Sequence, residues 1–201
     1  MAKKKEIFIL GDSIVLGAFD FIKGGWSRRL EEYFKTNKIA IKVNRHGLIG
    51  NDTERLLKEF GMKTDNRKPD IIIFAIGIND SQIINSQPRI PIEEFRDNLN
   101  QLIEKAKRYT QQVVFIGLSR VDDIKAQLVW WSRKGSYLNE VINKYDAALK
   151  SVVEEKECFY VEVADIFVDK SLLSDGVHPN SKGHQKLFEK VKGSLLKHEL
   201  C

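Results

Sequence analysis

The sequence lacks any apolar run long enough to cross a membrane, and it has very few cysteines. A membrane-spanning helix needs about 20 consecutive apolar residues, and no stretch of the 201 residues approaches this length. Cys158 and Cys201 are too few for a disulfide framework, and their spacing offers no metal site. These absences argue against stable membrane insertion, against a disulfide-stabilised scaffold and against a metal bound through cysteine.

The N-terminus lacks the long apolar core and the small-residue cleavage site of a secretory signal peptide. Residues 3–5 are lysines, and only a short apolar run, residues 7–10, follows them. Together with the scarcity of cysteine, this predicts a cytoplasmic protein. The 201 residues, of which 42% are hydrophobic, suit a single domain over residues 1–201 with a substantial core.

Positive charge is not concentrated in any part of the sequence. There are 33 basic and 28 acidic residues, for a formal charge of +5. Clusters such as Lys3-Lys4-Lys5 and Arg28-Arg29 are short, and neither is interleaved with aromatic residues. Because a nucleic-acid-binding surface concentrates its basic residues, a solvated surface is the better interpretation, and we expect no nucleic-acid partner. The sequence does not indicate the oligomeric state.

Apolar runs typical of buried strands alternate along the chain with helical patterns. Strands are predicted at residues 7–10, 39–43, 71–76, 113–116 and 158–163. Helices are predicted at residues 27–34, 54–60, 91–106, 136–155 and from 182 onward. Asp52 or Thr53 is expected to cap the second helix, and Pro91 to occupy the first turn of the third. The alternation predicts an α/β fold with a parallel sheet and helices on both faces.

Turns that contain glycine and polar residues follow the first four predicted strands. Ser13 comes after the first strand, and the turns at residues 47–50, 77–80 and 117–120 come after the next three. Because the carboxyl ends of parallel strands lie at one edge of a sheet, we expect these turns to gather where α/β folds bind ligands. Ser13 alone indicates little, since turn serines commonly bond only to nearby backbone.

A nucleophilic serine needs a base, and His178 is the histidine whose surroundings suit that role. Asp175 precedes it by three residues, with Gly176 between them. In such a turn the carboxylate can accept a hydrogen bond from Nδ1, which fixes the tautomer and leaves Nε2 for the nucleophile. An ordinary loop with a solvated histidine fits the spacing equally well. Of the other histidines, His46 is a possible substrate contact, whereas His184 is expected to pack or to cap a helix.

Acyl transfer also requires hydrogen-bond donors for the negative charge that develops on the carbonyl oxygen. The candidates are the backbone N–H groups of Ser13 and Gly50 and the side-chain amide of Asn79. A glycine lets the substrate approach the backbone closely, and an amide nitrogen offers two donors. Each has a plainer alternative, with Gly50 as a simple turn glycine and Asn79 as an amide bonded to its own turn.

Taken together, these segments resemble the SGNH hydrolases, also called the GDSL-type esterases and lipases. Ser13, Gly50, Asn79 and His178 match the four letters of that name in order. The first block is Gly-Asp-Ser-Ile, the third is Gly-x-Asn-Asp, and the last is Asp-x-x-His followed by Pro-Asn. The second block departs from the family, with Asn-Asp after the glycine where members often have Asp-Thr, and Gly47 is the alternative glycine.

The resemblance implies a three-layer, flavodoxin-like α/β/α fold with a five-stranded parallel sheet. It implies a serine esterase in which Ser13 forms an acyl-enzyme and Asp175 orients His178 as the general base. Ser13, Gly50 and Asn79 would form the oxyanion hole, with no metal or organic cofactor. Our favoured hypothesis for the substrate is a small ester with a short acyl chain. An acyl-thioesterase, a lysophospholipase, a carbohydrate O-deacetylase and a non-catalytic binding module are the alternatives.

Residues that contact the substrate are less sharply indicated. Asp12 and His46 are candidates because they lie in the first two turns. The segment 119–134 has no clean periodicity, follows a predicted strand and contains Trp130 and Trp131. We predict that it forms a wall or a mobile lid beside the acyl or leaving group. Burial of the two tryptophans in the core is an equally good interpretation.

Overall fold

The structure, a computed structural model, describes residues 4–64, 67–127, 129 and 135–200. The strands within these residues are β1 (Lys5–Gly11), β2 (Ile41–Gly47), β3 (Ile71–Ala75), β4 (Ile83–Ile84), β5 (Gln87–Pro88), β6 (Val113–Ile116), β7 (Gly135–Ser136) and β8 (Phe159–Val161). The α-helices are α1 (Ser13–Leu16), α2 (Gly25–Thr36), α3 (Thr53–Thr64), α4 (Ile92–Lys107), α5 (Asn139–Glu155) and α6 (Ser181–Lys197).

The main sheet has five parallel strands in the order β2-β1-β3-β6-β8. Each strand contains part of one of the predicted apolar runs, so the predicted α/β fold with a five-stranded parallel sheet is confirmed. From β1 the chain first adds β2 on one side and then β3 on the other. The winding direction therefore reverses between β1 and β3, which is where open α/β sheets form a ligand crevice.

Two hydrophobic cores lie on opposite faces of the sheet. Side chains alternate along a strand, so Phe8 and Leu10 of β1 face one side while Ile7 and Ile9 face the other. Phe8 and Leu10 pack in a core with residues of α3, α4 and α5. Ile7 and Ile9 pack with residues of α2 and α6. These two helical layers complete the three-layer arrangement that the resemblance implied.

The edge strand β2 extends further than the sequence pattern indicated. The apolar run predicted a strand at residues 39–43, whereas β2 pairs with β1 from Ile41 to Gly47. Its second half contains Asn44, Arg45 and His46. An edge strand has a single neighbour and open surroundings, so polar residues are tolerated there and the apolar run underestimates its length.

The starts of α4 and α5 differ from the prediction in detail, whereas the start of α3 agrees with it. Pro91 was expected in the first turn of α4, but it is the extended N-cap residue, with φ −54° and ψ 146°. Asp52, one of the two predicted caps of α3, accepts a hydrogen bond from the N–H of Arg55 at 2.9 Å. The prediction for α5 began at residue 136, whereas the helix begins at Asn139 because β7 occupies residues 135 and 136.

A small antiparallel sheet of β5, β4 and β7 lies outside the main sheet and was not predicted. Its strands contain two residues each, too few to show any periodicity. The predicted lid residues Trp130 and Trp131 lie outside the described residues, so the interpretation of residues 119–134 as a wall or lid stays a prediction. Among the helices of the described ranges, none has the length and apolarity that a membrane crossing requires.

Candidate active site

Ser13 lies at the carboxyl end of the central strand β1, as the first residue of α1. Asp12 caps this short helix by accepting a hydrogen bond from the N–H of Ile14 at 2.8 Å. The N–H of Ser13 has no intrahelical acceptor because it belongs to the first turn. The side-chain Oγ of Ser13 lies 2.9 Å from Nε2 of His178, and this contact fixes the orientation of the side chain.

His178 is held between the serine and a carboxylate. Its Nδ1 lies 2.8 Å from Oδ2 of Asp175, and Oδ1 of the same carboxylate accepts the N–H groups of Val177 and His178 at 2.9 Å and 2.8 Å. Burial on its own would raise the pKa of Asp175, but these hydrogen bonds and the nearby imidazole hold the pKa below its usual range. Asp175 is therefore an ionised acceptor that directs Nε2 toward Ser13.

A cleft of about 350 Å³ opens beside these side chains. Its polar lining includes Ser13, Asn79 and His178, and its apolar lining includes Phe19 and Ile49. The ring of Phe19 stacks on the imidazole of His178, with centroids 5.2 Å apart and planes at 30°. The cleft thus brings together residues that follow β1, residues that follow β3 and the loop before α6.

Gly50 lies on the wall of the cleft in the left-handed backbone region, with φ +66°. Apart from its chain neighbours, a Cβ at this position would meet no atom of the described residues within 4 Å, so the backbone faces open space. Gly47, the alternative glycine, is at the end of β2, and a Cβ there would lie 2.2 Å from the backbone nitrogen of Leu16. Gly47 therefore permits close packing of α1 against β2, and Gly50 is the glycine that borders the cleft.

Asn79 also lines the cleft. Its Nδ2 donates to the carbonyl of Asn51 at 2.8 Å, and its Oδ1 accepts from the hydroxyl of Tyr137 at 2.9 Å. The side chain of Asn51 in turn donates to the carbonyl of Gly11 at 3.1 Å. These bonds join the turns after β1, β2 and β3 into one hydrogen-bonded unit.

Two predicted substrate contacts are placed elsewhere. Asp12 is buried and lines a smaller neighbouring pocket of about 30 Å³, which shares Ile14 and Ile78 with the cleft. Burial raises its pKa to about 6, against the lowering effect of the bond from Ile14 and of nearby His178. His46 packs its ring against Phe8, with centroids 5.8 Å apart. Neither residue lines the 350 Å³ cleft in the described part of the chain, because one caps α1 and the other belongs to the edge strand.

Asp80, next to Asn79, links the turn after β3 to the start of α3. Its carboxylate accepts hydrogen bonds from the hydroxyl and from the backbone N–H of Thr53, the latter at 3.1 Å. Burial raises the pKa of Asp80 to about 7, although the bonds from Thr53 act in the opposite direction. Asn98 donates to the Thr53 hydroxyl at 3.1 Å. Within the described ranges, no cluster of three or more His, Cys, Asp or Glu side chains is placed to hold a metal ion.

The loop that carries Phe19 is anchored at both ends. Asp20 forms a buried ion pair with Arg29 of α2. His184 of α6 accepts from the N–H of Trp26 at 3.3 Å through Nδ1, and its Nε2 lies 3.0 Å from the carbonyl of Ala18. His184 thus has the structural role that the sequence suggested, and it fixes the backbone next to the ring that covers His178.

We expect the buried His184 to make the fold sensitive to acid. Burial is the main cause that lowers its pKa from 6.5 to about 4. Between these values the unfolded chain binds a proton that the folded chain does not, so stability is lost as the pH falls from 6.5 toward 4, by up to about 3 kcal/mol. Urea unfolding of wild type and His184→Gln at pH 4.5 and 7 measures the effect, and the variant should lose less stability on acidification.

The effect of His184 must be measured as the difference between the variant and wild type. Protonation of Asp12 and Asp80 changes the stability of both proteins in the opposite direction. Their raised pKa values let the folded state bind protons first, so they add stability as the pH falls through about 7 and 6. His198→Asn, at an exposed position after α6, is the matched control. An acid loss that is the same in His184→Gln and in wild type would contradict the prediction.

The sequence profile of the GDSL-like lipase/acylhydrolase family matches residues 9–186, from β1 into α6. The chain belongs to this family. It is accordingly a carboxylic-ester hydrolase, and the resemblance stated from the sequence blocks is confirmed. The matched span includes Ser13, Gly50, Asn79 and His178.

Similar family sequences carry esterase names. The GDSL esterase/lipase WDL1 of Oryza sativa subsp. japonica is 24% identical over 206 residues, which cover 94% of this chain and 77% of the relative. The isoamyl acetate-hydrolyzing esterase 1 homolog of Homo sapiens is 27% identical over 201 residues, which cover 91% of this chain and 78% of the relative.

Solved structures with the same fold include two hydrolases. LAE5, an alpha/beta hydrolase enzyme from the metagenome of Lake Arreo, superposes with a TM-score of 0.77 at 19% identity, covering 96% of both chains. Axe2, an acetylxylan esterase from Geobacillus stearothermophilus, superposes with a TM-score of 0.76 at 18% identity, covering 97% of this chain and 96% of the other. At such low identity these matches establish the fold of the GDSL-family chain and nothing about its substrate.

The sequence patterns did not indicate Phe19 or Tyr137 as residues of the site. Phe19 stands in a short loop, and Tyr137 directly follows the two-residue strand β7. Neither belongs to a motif or to a periodic segment, so no local signal marks them. Only the three-dimensional packing brings them to the cleft that is lined by the residues matching the four letters of the family name.

Proposed function

We propose that this protein hydrolyses small carboxylic esters with short acyl chains, through an acyl-enzyme formed on Ser13. The observation that carries the proposal is the 2.9 Å contact between Ser13 Oγ and His178 Nε2, with Asp175 on the opposite ring nitrogen at 2.8 Å. A hydroxyl, an imidazole and a carboxylate in this sequence of contacts can move a proton away from the attacking oxygen.

In the first half of the reaction, His178 accepts the Ser13 proton while Oγ bonds to the ester carbonyl carbon. The imidazolium is stabilised by the ionised Asp175, and its proton then passes to the leaving alcohol as the ester bond breaks. In the second half, His178 deprotonates a water that attacks the acyl-enzyme, and the proton returns to Ser13 Oγ as the acid leaves. Each half therefore restores the base to its neutral form.

Negative charge on the carbonyl oxygen develops in both halves and requires fixed donors. The N–H groups of Ser13 and Gly50 and the amide of Asn79 border the same cleft. The N–H of Gly50 meets no backbone acceptor within the described residues, so it is available to a ligand oxygen. Fixed donors of this kind are worth roughly 10²–10³ each in turnover.

The small size of the cleft supports a short acyl chain. Its volume of about 350 Å³ is near the lower end of the roughly 300–1,000 Å³ typical of small-molecule sites. A relative carries a name that refers to isoamyl acetate, an acetate ester. An acetyl or butyryl group is therefore the acyl group we assign to the cleft.

Hydrolysis of p-nitrophenyl acetate, butyrate and octanoate tests this function directly. Because the leaving group is constant, the series measures only the fit of the acyl chain. We expect kcat/KM for octanoate to be lower than for the best short ester by about tenfold or more. An octanoate rate equal to or above the acetate and butyrate rates would contradict the short-chain assignment. If the protein hydrolysed the matching thioesters but none of these esters, the proposed substrate class would change from an ester to a thioester.

A further inference from the structure

The orientation of the Asn79 amide is fixed by its two partners. The carbonyl of Asn51 can only accept, so the atom 2.8 Å from it is the Nδ2 nitrogen. The oxygen Oδ1 then faces the hydroxyl of Tyr137 at 2.9 Å. Because Oδ1 can only accept, Tyr137 is the donor in this bond. The bonds to Asn51 and Tyr137 therefore determine the positions of Nδ2 and Oδ1.

One hydrogen of Nδ2 is left for the cleft. The first is used by the carbonyl of Asn51, and among the described residues no other acceptor meets Nδ2 of Asn79. Asn79 and Tyr137 both line the cleft beside Ser13 and Gly50. A carbonyl oxygen bound over Ser13 would accept this remaining N–H together with the two backbone donors.

The environment of Tyr137 keeps its hydroxyl protonated, so that it remains a hydrogen-bond donor. The residue is 2% exposed, and burial together with the negative charges of Asp12 and Asp175 raises the pKa of its hydroxyl. Its backbone N–H donates to the carbonyl of Ala126 at 2.9 Å, which fixes the start of the side chain. The hydroxyl therefore remains protonated well above neutral pH, and the buried ring keeps it beside Asn79.

We propose that Tyr137 is a positioning residue that acts through Asn79, holding the amide so that its free N–H faces the substrate oxygen. The proposal rests on the proposed function, in which Asn79 is an oxyanion donor. Without the phenol hydroxyl, Oδ1 would be buried without a donor, and only the bond from Nδ2 to the carbonyl of Asn51 would still hold the amide. The amide plane could then tilt about that single bond, so that the free N–H is no longer aimed at the developing negative charge.

Tyr137→Phe removes only the hydroxyl and keeps the ring that lines the cleft. We expect kcat for p-nitrophenyl butyrate to fall about tenfold, while KM stays within about twofold, because the lost interaction exists mainly in the transition state. Tyr145→Phe is the matched control, since Tyr145 is also buried and donates to a carbonyl, that of Ile90, away from the cleft. Both variants lose one buried hydrogen bond, so a purely structural effect would be similar in the two.

A double-mutant cycle with Asn79→Ala tests whether Tyr137 acts through Asn79. We expect Tyr137→Phe to have little further effect on kcat in the Asn79→Ala background, because residues that act as a unit are not additive. The same cycle measured with a trifluoromethyl ketone, whose hemiketal oxygen occupies the oxyanion site, should show the same non-additivity in affinity. Multiplying effects in the double variant would overturn the inference.

The outcomes separate this inference from the function on which it rests. Wild-type kcat in Tyr137→Phe, with Ser13→Ala inactive, would overturn the positioning role and leave the esterase intact. Equal losses in Tyr137→Phe and Tyr145→Phe would also overturn it, since they would show a general effect of destabilisation. Full activity in Ser13→Ala would overturn the proposed function and the positioning role together.

Discussion

Ser13→Ala is expected to lower kcat/KM for p-nitrophenyl butyrate by about 10⁴-fold or more. In the proposed mechanism, the Oγ atom, which lies 2.9 Å from His178 Nε2, bonds to the substrate carbonyl. Without it the imidazole has no hydroxyl to deprotonate, and only the donors of the cleft act on the ester. A fluorophosphonate should label wild type at Ser13 and leave the variant unlabelled, as measured by intact mass.

Ser119→Ala is the matched control for this variant. Ser119 also follows a strand of the main sheet and is 5% exposed, but it lines the neighbouring 30 Å³ pocket and is not among the residues that line the cleft. We expect it to keep wild-type kcat/KM and to be labelled normally. Wild-type rates in Ser13→Ala, with its fold intact by circular dichroism, would refute the nucleophilic role of Ser13.

The parts of the fold that could be predicted are those whose signals are local. The apolar runs of β1, β3 and β6 are buried on both faces, so their sequences show nearly continuous hydrophobicity. The Asp-x-x-His turn is equally local, since three residues separate Asp175 from His178 and the carboxylate reaches both the ring and the backbone. Such features depend on spacing alone, and spacing is visible in a sequence.

The parts that could not be predicted depend on contacts between distant segments. Tyr137 lies 58 positions from Asn79, whose amide it contacts. The bond between Asp80 and Thr53 spans 27 positions. No periodicity marks either pair, because each depends on how turns after different strands meet at the sheet edge. His46 was misplaced for a related reason, since the turn in which it was expected is in fact the paired end of β2.

The second large effect is expected for Asp175→Asn, with kcat reduced about 10³–10⁴-fold. The amide oxygen can keep the two backbone bonds, to Val177 and His178, that Oδ1 now accepts at 2.9 Å and 2.8 Å. Its nitrogen then replaces Oδ2 and donates to Nδ1 of His178. The imidazole is thereby forced into the tautomer with hydrogen on Nε2, which cannot accept the proton of Ser13.

Asp169→Asn is the matched control, because Asp169 also caps a turn, accepting from the N–H of Ser171 at 3.0 Å, and is remote from the cleft. Both variants should keep the melting temperature near that of wild type, whereas only Asp175→Asn should lose turnover. Nitrogen-15 chemical shifts of labelled histidine report the cause independently of rate. In wild type the hydrogen of neutral His178 belongs on Nδ1, and in Asp175→Asn it belongs on Nε2. A variant that loses turnover but keeps the hydrogen on Nδ1 would show that Asp175 does more than select the tautomer, since the base would still be correctly protonated and yet ineffective.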